Sequence, residues 1–218
     1  MQLVFEQIRA GGDRNFGYLL GDHDAGKVAL LDPSYSPEVF AQRAKDQGLA
    51  VTHVINTHGH EDHINGNATA LELTNAPLVA FGGSTMVSPD VPVSDGQELA
   101  VGGLRLQFLH VPGHCADHLV IYEPAWRILI TGDLLFVGKI GGTSTDDDAR
   151  TEWTSLQRVL AQFPGDATVW PGHDYGVRPS STIALERATN PFLQCADADA
   201  LIAFKEHWPA FKLQHGLR

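Results

Sequence analysis

A layered α/β fold, with helices covering β-sheet, is what this sequence predicts, and three observations predict it. β-rich runs recur along the chain and end in glycine-marked polar tips. Apolar stripes at helical spacing lie between them. The 218 residues, 43% of them apolar, are enough to bury one sizeable core.

Taken in order, residues 16–20 and 28–32 form apolar runs separated by a turn-rich stretch at 21–26, which predicts a β-hairpin. Residues 37–48 read as a helix stopped by Gly48. The run 50–56, with Val51, Thr52, Val54 and Ile55, reads as a strand that leads directly into Thr57-His58-Gly59-His60. That arrangement recurs three times. Residues 104–111 lead to Pro112-Gly113-His114, 127–131 to Gly132-Asp133, and 168–170 to Pro171-Gly172-His173. Neighbouring strands of a sheet that end in such residues can bring them to one point. Between them, Trp153, Leu156, Val159, Leu160 and Phe163 make a helical stripe over 151–163 whose simplest use is core packing. Helices are expected again over 181–188 and 197–207, with Pro191 and Pro209 as breaks. The expectation is one domain over residues 1–218 with a short helical extension from about residue 180 onward.

Composition narrows the function. A net charge of −11 repels phosphate backbones and offers no polybasic surface to a membrane, so neither nucleic acid nor a membrane is an expected partner. The N-terminal residues lack a signal-peptide pattern, and no run approaches 18 uninterrupted apolar residues. A soluble cytoplasmic protein is expected. The two cysteines, Cys115 and Cys195, form no CxxC pair and are too few for a disulfide scaffold. Oligomeric state is not legible in this sequence.

The eleven histidines are more informative, because several are clustered. His58-Gly59-His60-Glu61-Asp62-His63 puts three imidazoles and a carboxylate into six residues. At this composition, three histidines at those spacings arise by chance at roughly one starting position in 8,000. Imidazole nitrogen and carboxylate oxygen are the ordinary ligands of zinc and other first-row metals, and close spacing lets one loop serve two ions. The alternative is a polar helix start capped by Asp62. His114, Asp133 or His173 alone would carry little weight, since polar residues beside glycine are common in turns. Their shared position at strand ends makes them candidate ligands too.

Residues 57–63 resemble the THxHxDH signature of the metallo-β-lactamase fold superfamily, continued here by Ile64-Asn65-Gly66-Asn67. Pro112-Gly113-His114, Thr131-Gly132-Asp133 and Pro171-Gly172-His173-Asp174-Tyr175 resemble its later motifs, in the same order, so the resemblance covers about residues 15–193. It implies an αββα sandwich of two mixed sheets flanked by helices, with the site at one edge of the paired sheets. It also implies one metal held by His58, His60 and His114, a second by Asp62, His63 and His173, and Asp133 bridging them. Zinc is the expected metal of the two divalent sites, with iron and manganese also admissible for nitrogen and oxygen donors. His118, His23, His53, His110, His207 and His215 are read as structural or surface residues, and Cys115 as a loop residue.

The chemistry implied is hydrolysis by a metal-bridging hydroxide, with Asp62 orienting it or moving its proton. Within the superfamily the chain resembles glyoxalase II enzymes, the hydroxyacylglutathione hydrolases, and the related persulfide dioxygenases. The carrying residues are Gly132-Asp133-Leu134-Leu135-Phe136, His173-Asp174-Tyr175 and the stretch from Glu186 to Leu193. This implies a thioester or glutathione-derived substrate, with Tyr175 and Lys139 as contacts. Gly138-Lys139-Ile140-Gly141-Gly142-Thr143 departs from the glyoxalase II pattern in lacking a tyrosine after the basic residue. Cys115 and Ala116 replace its usual threonine-containing turn, which leaves another thioester, an ester or a lactone open. The persulfide dioxygenase alternative uses a single ferrous ion on His58, His114 and Asp133. A non-catalytic metal-binding or flavoprotein-partner module is the third reading; the complete ligand set and the lack of an appended redox domain weigh against it.

Overall fold

The computed structural model describes residues 1–216. Two six-stranded sheets carry the architecture. The first contains, side by side, β1 (Leu3–Gly11), β2 (Asn15–Asp22), β3 (Lys27–Leu31), β4 (Ala50–Ile55), β5 (Leu78–Phe81) and β6 (Val91–Val93). The second is built from β7 (Glu98–Val101), β8 (Leu104–His110), β9 (Leu119–Glu123), β10 (Ile128–Gly132), β13 (Thr168–Pro171) and β14 (Ser181–Thr182). A small hairpin, β11 (Leu135–Phe136) and β12 (Lys139–Ile140), follows β10. Both large sheets are mixed: β3, β4, β5 and β6 run parallel, as do β10 and β13, and the other pairs are antiparallel.

Alternation along each strand explains the layers. Tyr18, Leu20, Ala29 and Leu31 of the first sheet meet Leu104, Leu106, Phe108, Ile121 and Ile130 of the second in one shared core. The residues between them point the other way. Leu19, Val28 and Leu30 pack under α1 (Pro37–Asp46) through Phe40 and Ala44, and α3 (Asn67–Thr74) lies against α1. Leu109, Val120, Tyr122 and Leu129 pack under α4 (Asp146–Gln162) through Leu156 and Val159. Strands covered on both faces read as continuous apolar runs, and so β2 and β9 are buried throughout. The outcome is the αββα sandwich that the motif resemblance implies.

Helix starts follow local chemistry. Thr145 caps α4: its hydroxyl accepts from the Asp148 amide, and the Asp148 carboxylate accepts from the Thr145 amide, each at 3.1 Å. Asp146, Asp147 and Asp148 place negative charge at the positive end of its dipole. The helix therefore begins before the stripe that announces it at 151.

The C-terminal stretch comprises α5 (Ile183–Thr189), a 3-10 turn (Pro191–Gln194) and α6 (Ala198–His215). Pro191 opens the 3-10 turn, but Pro209 does not end a helix: α6 runs through it. The helix gives up one backbone hydrogen bond there, and the aromatic packing of Phe204 and Trp208 on Phe192 holds the segment down. Residues 181–182 are strand where a helix is expected, because they pair with Thr168 and Val169 at the sheet edge.

Candidate metal centre

The site lies where the strand ends of both sheets converge. β4 runs through Asn56 and Thr57 to His58 and His60, and the single-turn helix α2 (Glu61–Ile64) carries Asp62 and His63. Those residues come from the first sheet. From the second, β8 leads to His114, β10 to Asp133, and β13 to His173. A set of four tips on one sheet is therefore corrected to one tip from the first sheet and three from the second. The Leu119 amide donates to the Thr57 carbonyl at 2.7 Å, which ties the two edges together. The Gly172 amide donates to the Gly132 carbonyl at 2.7 Å, bringing Asp133 and His173 side by side. A Cβ on Gly172 would overlap Asp133 Oδ1 and approach His63 Cε1 to 3.0 Å, so only glycine fits between these two side chains.

All seven sequence-predicted ligands meet here. His58 Nε2 and His114 Nε2 each lie 3.0 Å from His60 Nδ1. Asp62 Oδ2 and His63 Nε2 each lie 3.3 Å from His173 Nε2. Asp133 stands between the two sets, with Oδ1 3.4 Å from His63 Nε2 and Oδ2 3.2 Å from His173 Nε2 and 3.7 Å from His114 Nε2. The ligand atoms of each of three groups, His58–His60–His114, His58–His63–Asp133 and Asp62–His63–His173, lie within 4.8 Å of one another. Tetrahedral ligands at roughly 2.0–2.1 Å from zinc are about 3.3–3.4 Å apart, so these spacings suit a cation between them.

The outward nitrogens test the fit. His114 Nδ1 faces the Gly142 carbonyl at 2.7 Å, His173 Nδ1 the Asp13 carbonyl at 2.8 Å, and His63 Nδ1 Asp32 Oδ2 at 3.0 Å. Each acceptor requires the proton on Nδ1, which leaves the Nε2 lone pair facing the centre. His58 uses a relay: its Nδ1 lies 3.0 Å from Thr57 Oγ1, and that hydroxyl donates to Asp32 Oδ2 at 2.6 Å. Asp133 Oδ1 is buried and without a hydrogen-bond partner among the described residues. Four imidazoles preset in the metal-accepting tautomer and an orphaned carboxylate oxygen are what a cation site needs.

Without a cation, the centre is strongly polarised. Burial opposes a proton on His173, but hydrogen bonds donated to the Asp133 and Asp62 carboxylates overcome it and raise the group to about 9. His63 is likewise raised, against burial, by Asp133 and Asp32. Asp62 is held well below the usual carboxylate range, first by its hydrogen bond to His173. Burial, and then the neighbouring imidazoles, push His58 well below the ordinary histidine value.

Several supporting residues carry no motif. Asp32 also accepts from the Thr57 amide at 2.9 Å, Asn15 Nδ2 donates to Asp62 Oδ2 at 2.9 Å, and Ser34 Oγ donates to the Asp62 carbonyl. His118 is fully buried, stacks on His58 and accepts the Asp133 amide at 3.0 Å, in keeping with a structural reading. Cys115 donates to Asp117 Oδ1 at 2.8 Å, and burial first, then Asp117, pushes its thiol up to about 11. A thiol so raised is no nucleophile near neutral pH. The hairpin tip between β1 and β2 reaches the site as well. Tyr175 stacks on His173 with ring centroids 4.6 Å apart and donates to Asp13 Oδ2 at 2.7 Å. Lys139 Nζ and the Arg14 guanidinium lie 4.7 and 4.6 Å from the centre of the same ring.

A cavity of about 490 Å³ opens beside His114 and Asp133, with Lys139, Tyr175 and Phe136 on one wall and α6 on another. Among the described residues, no helix is long and apolar enough to cross a membrane.

Comparison with known proteins agrees with this geometry. A hydroxyacylglutathione hydrolase from Polaromonas sp. is 33% identical over 181 residues, covering 79% of this chain and 67% of that protein. The human mitochondrial persulfide dioxygenase ETHE1 is 30% identical over 195 residues, covering 88% of this chain and 75% of that one. The crystal structure of ETHE1 from Myxococcus xanthus superposes with a TM-score of 0.86 at 31% identity, over 94% of this chain and 91% of that one. Hydrolase-named and dioxygenase-named relatives thus stand at similar identity. The family model of the metallo-β-lactamase superfamily matches residues 10–173, and with the sandwich and the histidine–aspartate cluster in place, the chain belongs to that superfamily.

Proposed function

We propose that this protein is a binuclear metal-dependent hydrolase of thioesters, with hydroxyacylglutathione as the model substrate. In this reading His58, His60 and His114 hold one divalent cation, Asp62, His63 and His173 hold the other, and Asp133 bridges them. The observation that carries the reading is the second donor set: Asp62, His63 and His173 bring their ligand atoms within 4.8 Å of one another, as the first set does, and Asp32 and Asp13 orient their histidines. Two cations there, zinc by expectation, would supply a hydroxide near neutral pH and polarise the substrate carbonyl.

The chain's own residues do the rest. Asp62, ionised and pinned by Asn15, is placed to orient the hydroxide or to move its proton. Lys139 and Tyr175 line the cavity beside the metals, and Lys139 offers a cation to a substrate carboxylate. Arg14, from the turn between β1 and β2, adds a second positive charge at the Tyr175 ring. A glutathione-derived acyl donor suits a cavity lined by Lys139, Phe136 and Phe192.

A second reading, a mononuclear iron persulfide dioxygenase on His58, His114 and Asp133, is favoured by the likeness to the Myxococcus ETHE1 structure over nearly the whole chain. The deciding experiment is metal analysis of the purified protein with two assays, hydrolysis of S-lactoylglutathione and oxygen uptake with glutathione persulfide. Two metals with hydrolysis bear out the proposal. One iron with oxygen uptake transfers the assignment to the dioxygenase.

A further inference from the structure

Outside the metal centre, a buried ion pair meets its edge. Glu152, on α4, has no exposure to solvent, and Lys205 reaches it from α6 to hydrogen-bond Oε2. Burial pushes the Glu152 carboxyl up to about 7 even against the pull of Lys205. An ionised carboxylate at such a position requires a cation, and the last helix provides it.

The same ammonium donates to Thr143 Oγ1 at 3.0 Å. Thr143 directly follows Gly142, whose carbonyl faces His114 Nδ1 at 2.7 Å. The other hydrogen bonds that hold the loop between β12 and α4 fall on either side of the Gly142-Thr143 step. Glu186 accepts the Gly138 amide at 2.8 Å, Asn190 donates to the Lys139 carbonyl at 3.1 Å and the Gly141 amide donates to the Leu134 carbonyl at 3.5 Å, all ahead of Gly142, and the Thr145 cap of α4 comes after Thr143. Gly141 admits no side chain, because a Cβ there would overlap the Asp133 carbonyl and lie 2.7 Å from His114 Nδ1. A glycine pair has the most backbone freedom to lose, so the tie that follows it sets where the Gly142 carbonyl points.

We propose that Lys205 is a positioning residue for the metal centre: clamped by Glu152, it holds Thr143 and thereby the Gly142 carbonyl that keeps the His114 proton on Nδ1 and Nε2 open to the cation. The final helix is then part of the metal site's support as well as a wall of its cavity. This rests on the reading of His114 as a ligand. An ion pair that merely fastened α6 to α4 would leave metal affinity untouched.

The test is Co(II) affinity, measured by competition with a chromophoric chelator, together with the melting temperature of the metal-free protein. Thr143→Val keeps the Lys205–Glu152 pair and removes the tie to the loop. The proposal predicts roughly tenfold weaker Co(II) binding in this variant, the lower end of what losing a partner of a metal ligand costs, with the metal-free melting temperature unchanged. The double variant Lys205→Met/Glu152→Gln leaves no unpaired buried charge and is predicted to bind Co(II) as weakly as Thr143→Val. Wild-type affinity in Thr143→Val overturns the proposal, whatever the double variant does. A wild-type protein that binds no Co(II) overturns the ligand reading itself, and this inference with it.

Discussion

Asp32→Ala removes the residue on which the histidine loop is hung. Asp32 is 2% exposed and accepts three hydrogen bonds, from the Thr57 amide at 2.9 Å, the Thr57 hydroxyl at 2.6 Å and His63 Nδ1 at 3.0 Å. Alanine leaves all three donors without their acceptor. The Thr57 hydroxyl can turn to donate to His58 Nδ1, 3.0 Å away, only if His58 moves its proton to Nε2 and gives up the metal-accepting tautomer, and the Thr57 amide and the His63 ring have no alternative acceptor in place. Each buried unsatisfied donor costs about 1–3 kcal/mol, so two of them put the loss near 4 kcal/mol. That is a large fraction of the roughly 5–15 kcal/mol that holds a typical domain together. Urea denaturation with a chelator present measures this metal-free loss. Metal affinity should fall separately, by roughly 10–100-fold, because His63 loses the partner that fixes its tautomer. A stability change under about 1 kcal/mol with metal affinity unaltered would refute the reasoning.

Three further outcomes follow from the same geometry. Gly172→Ala forces a Cβ onto Asp133 Oδ1, so metal content should collapse and the melting temperature fall by the equivalent of about 1–3 kcal/mol; full metal occupancy would contradict the close approach. His173 is raised from 6.5 to about 9, so the metal-free fold gains stability from its proton below about pH 6.5 and loses it as pH rises through about 9. Metal uptake at pH 7.5 must then expel at least one proton, which a weakly buffered indicator reads directly, and uptake without acidification would contradict that ordering. Lys139→Ala should raise KM for S-lactoylglutathione about tenfold with little change in kcat, the pattern of a lost binding contact; an unchanged KM removes Lys139 from the substrate site.

What the sequence displays of this site is whatever glycine and histidine mark together. His58, His60, Asp62 and His63 crowd one loop, and His114, Asp133 and His173 each follow a glycine at a strand end, so all seven are legible as candidates before any fold is known. Asp32, Asn15 and Glu152 are not. Each is an unremarkable polar residue whose importance comes from burial and from partners far along the chain, such as Asp62 for Asn15 and Lys205 for Glu152. Asp32 closes the predicted run 28–32 and stands just past the observed strand β3 at φ 44°, a backbone position that tolerates aspartate but gives no periodic signal. The division of the strand ends between two sheets is equally hidden, because it is set by which strands pair, and pairing is not written in the residues of β4 or β8. At Pro209 a local rule yields to aromatic packing around Phe204 and Trp208.

Diffraction from metal-loaded crystals, collected at the metal's absorption edge, places the cations without reference to activity. The account predicts two anomalous peaks, one at roughly 2.0–2.2 Å from His58 Nε2, His60 Nδ1 and His114 Nε2, the other at the same range from Asp62, His63 and His173, with Asp133 between. Protein that hydrolyses thioesters while showing no peak among these residues would contradict it.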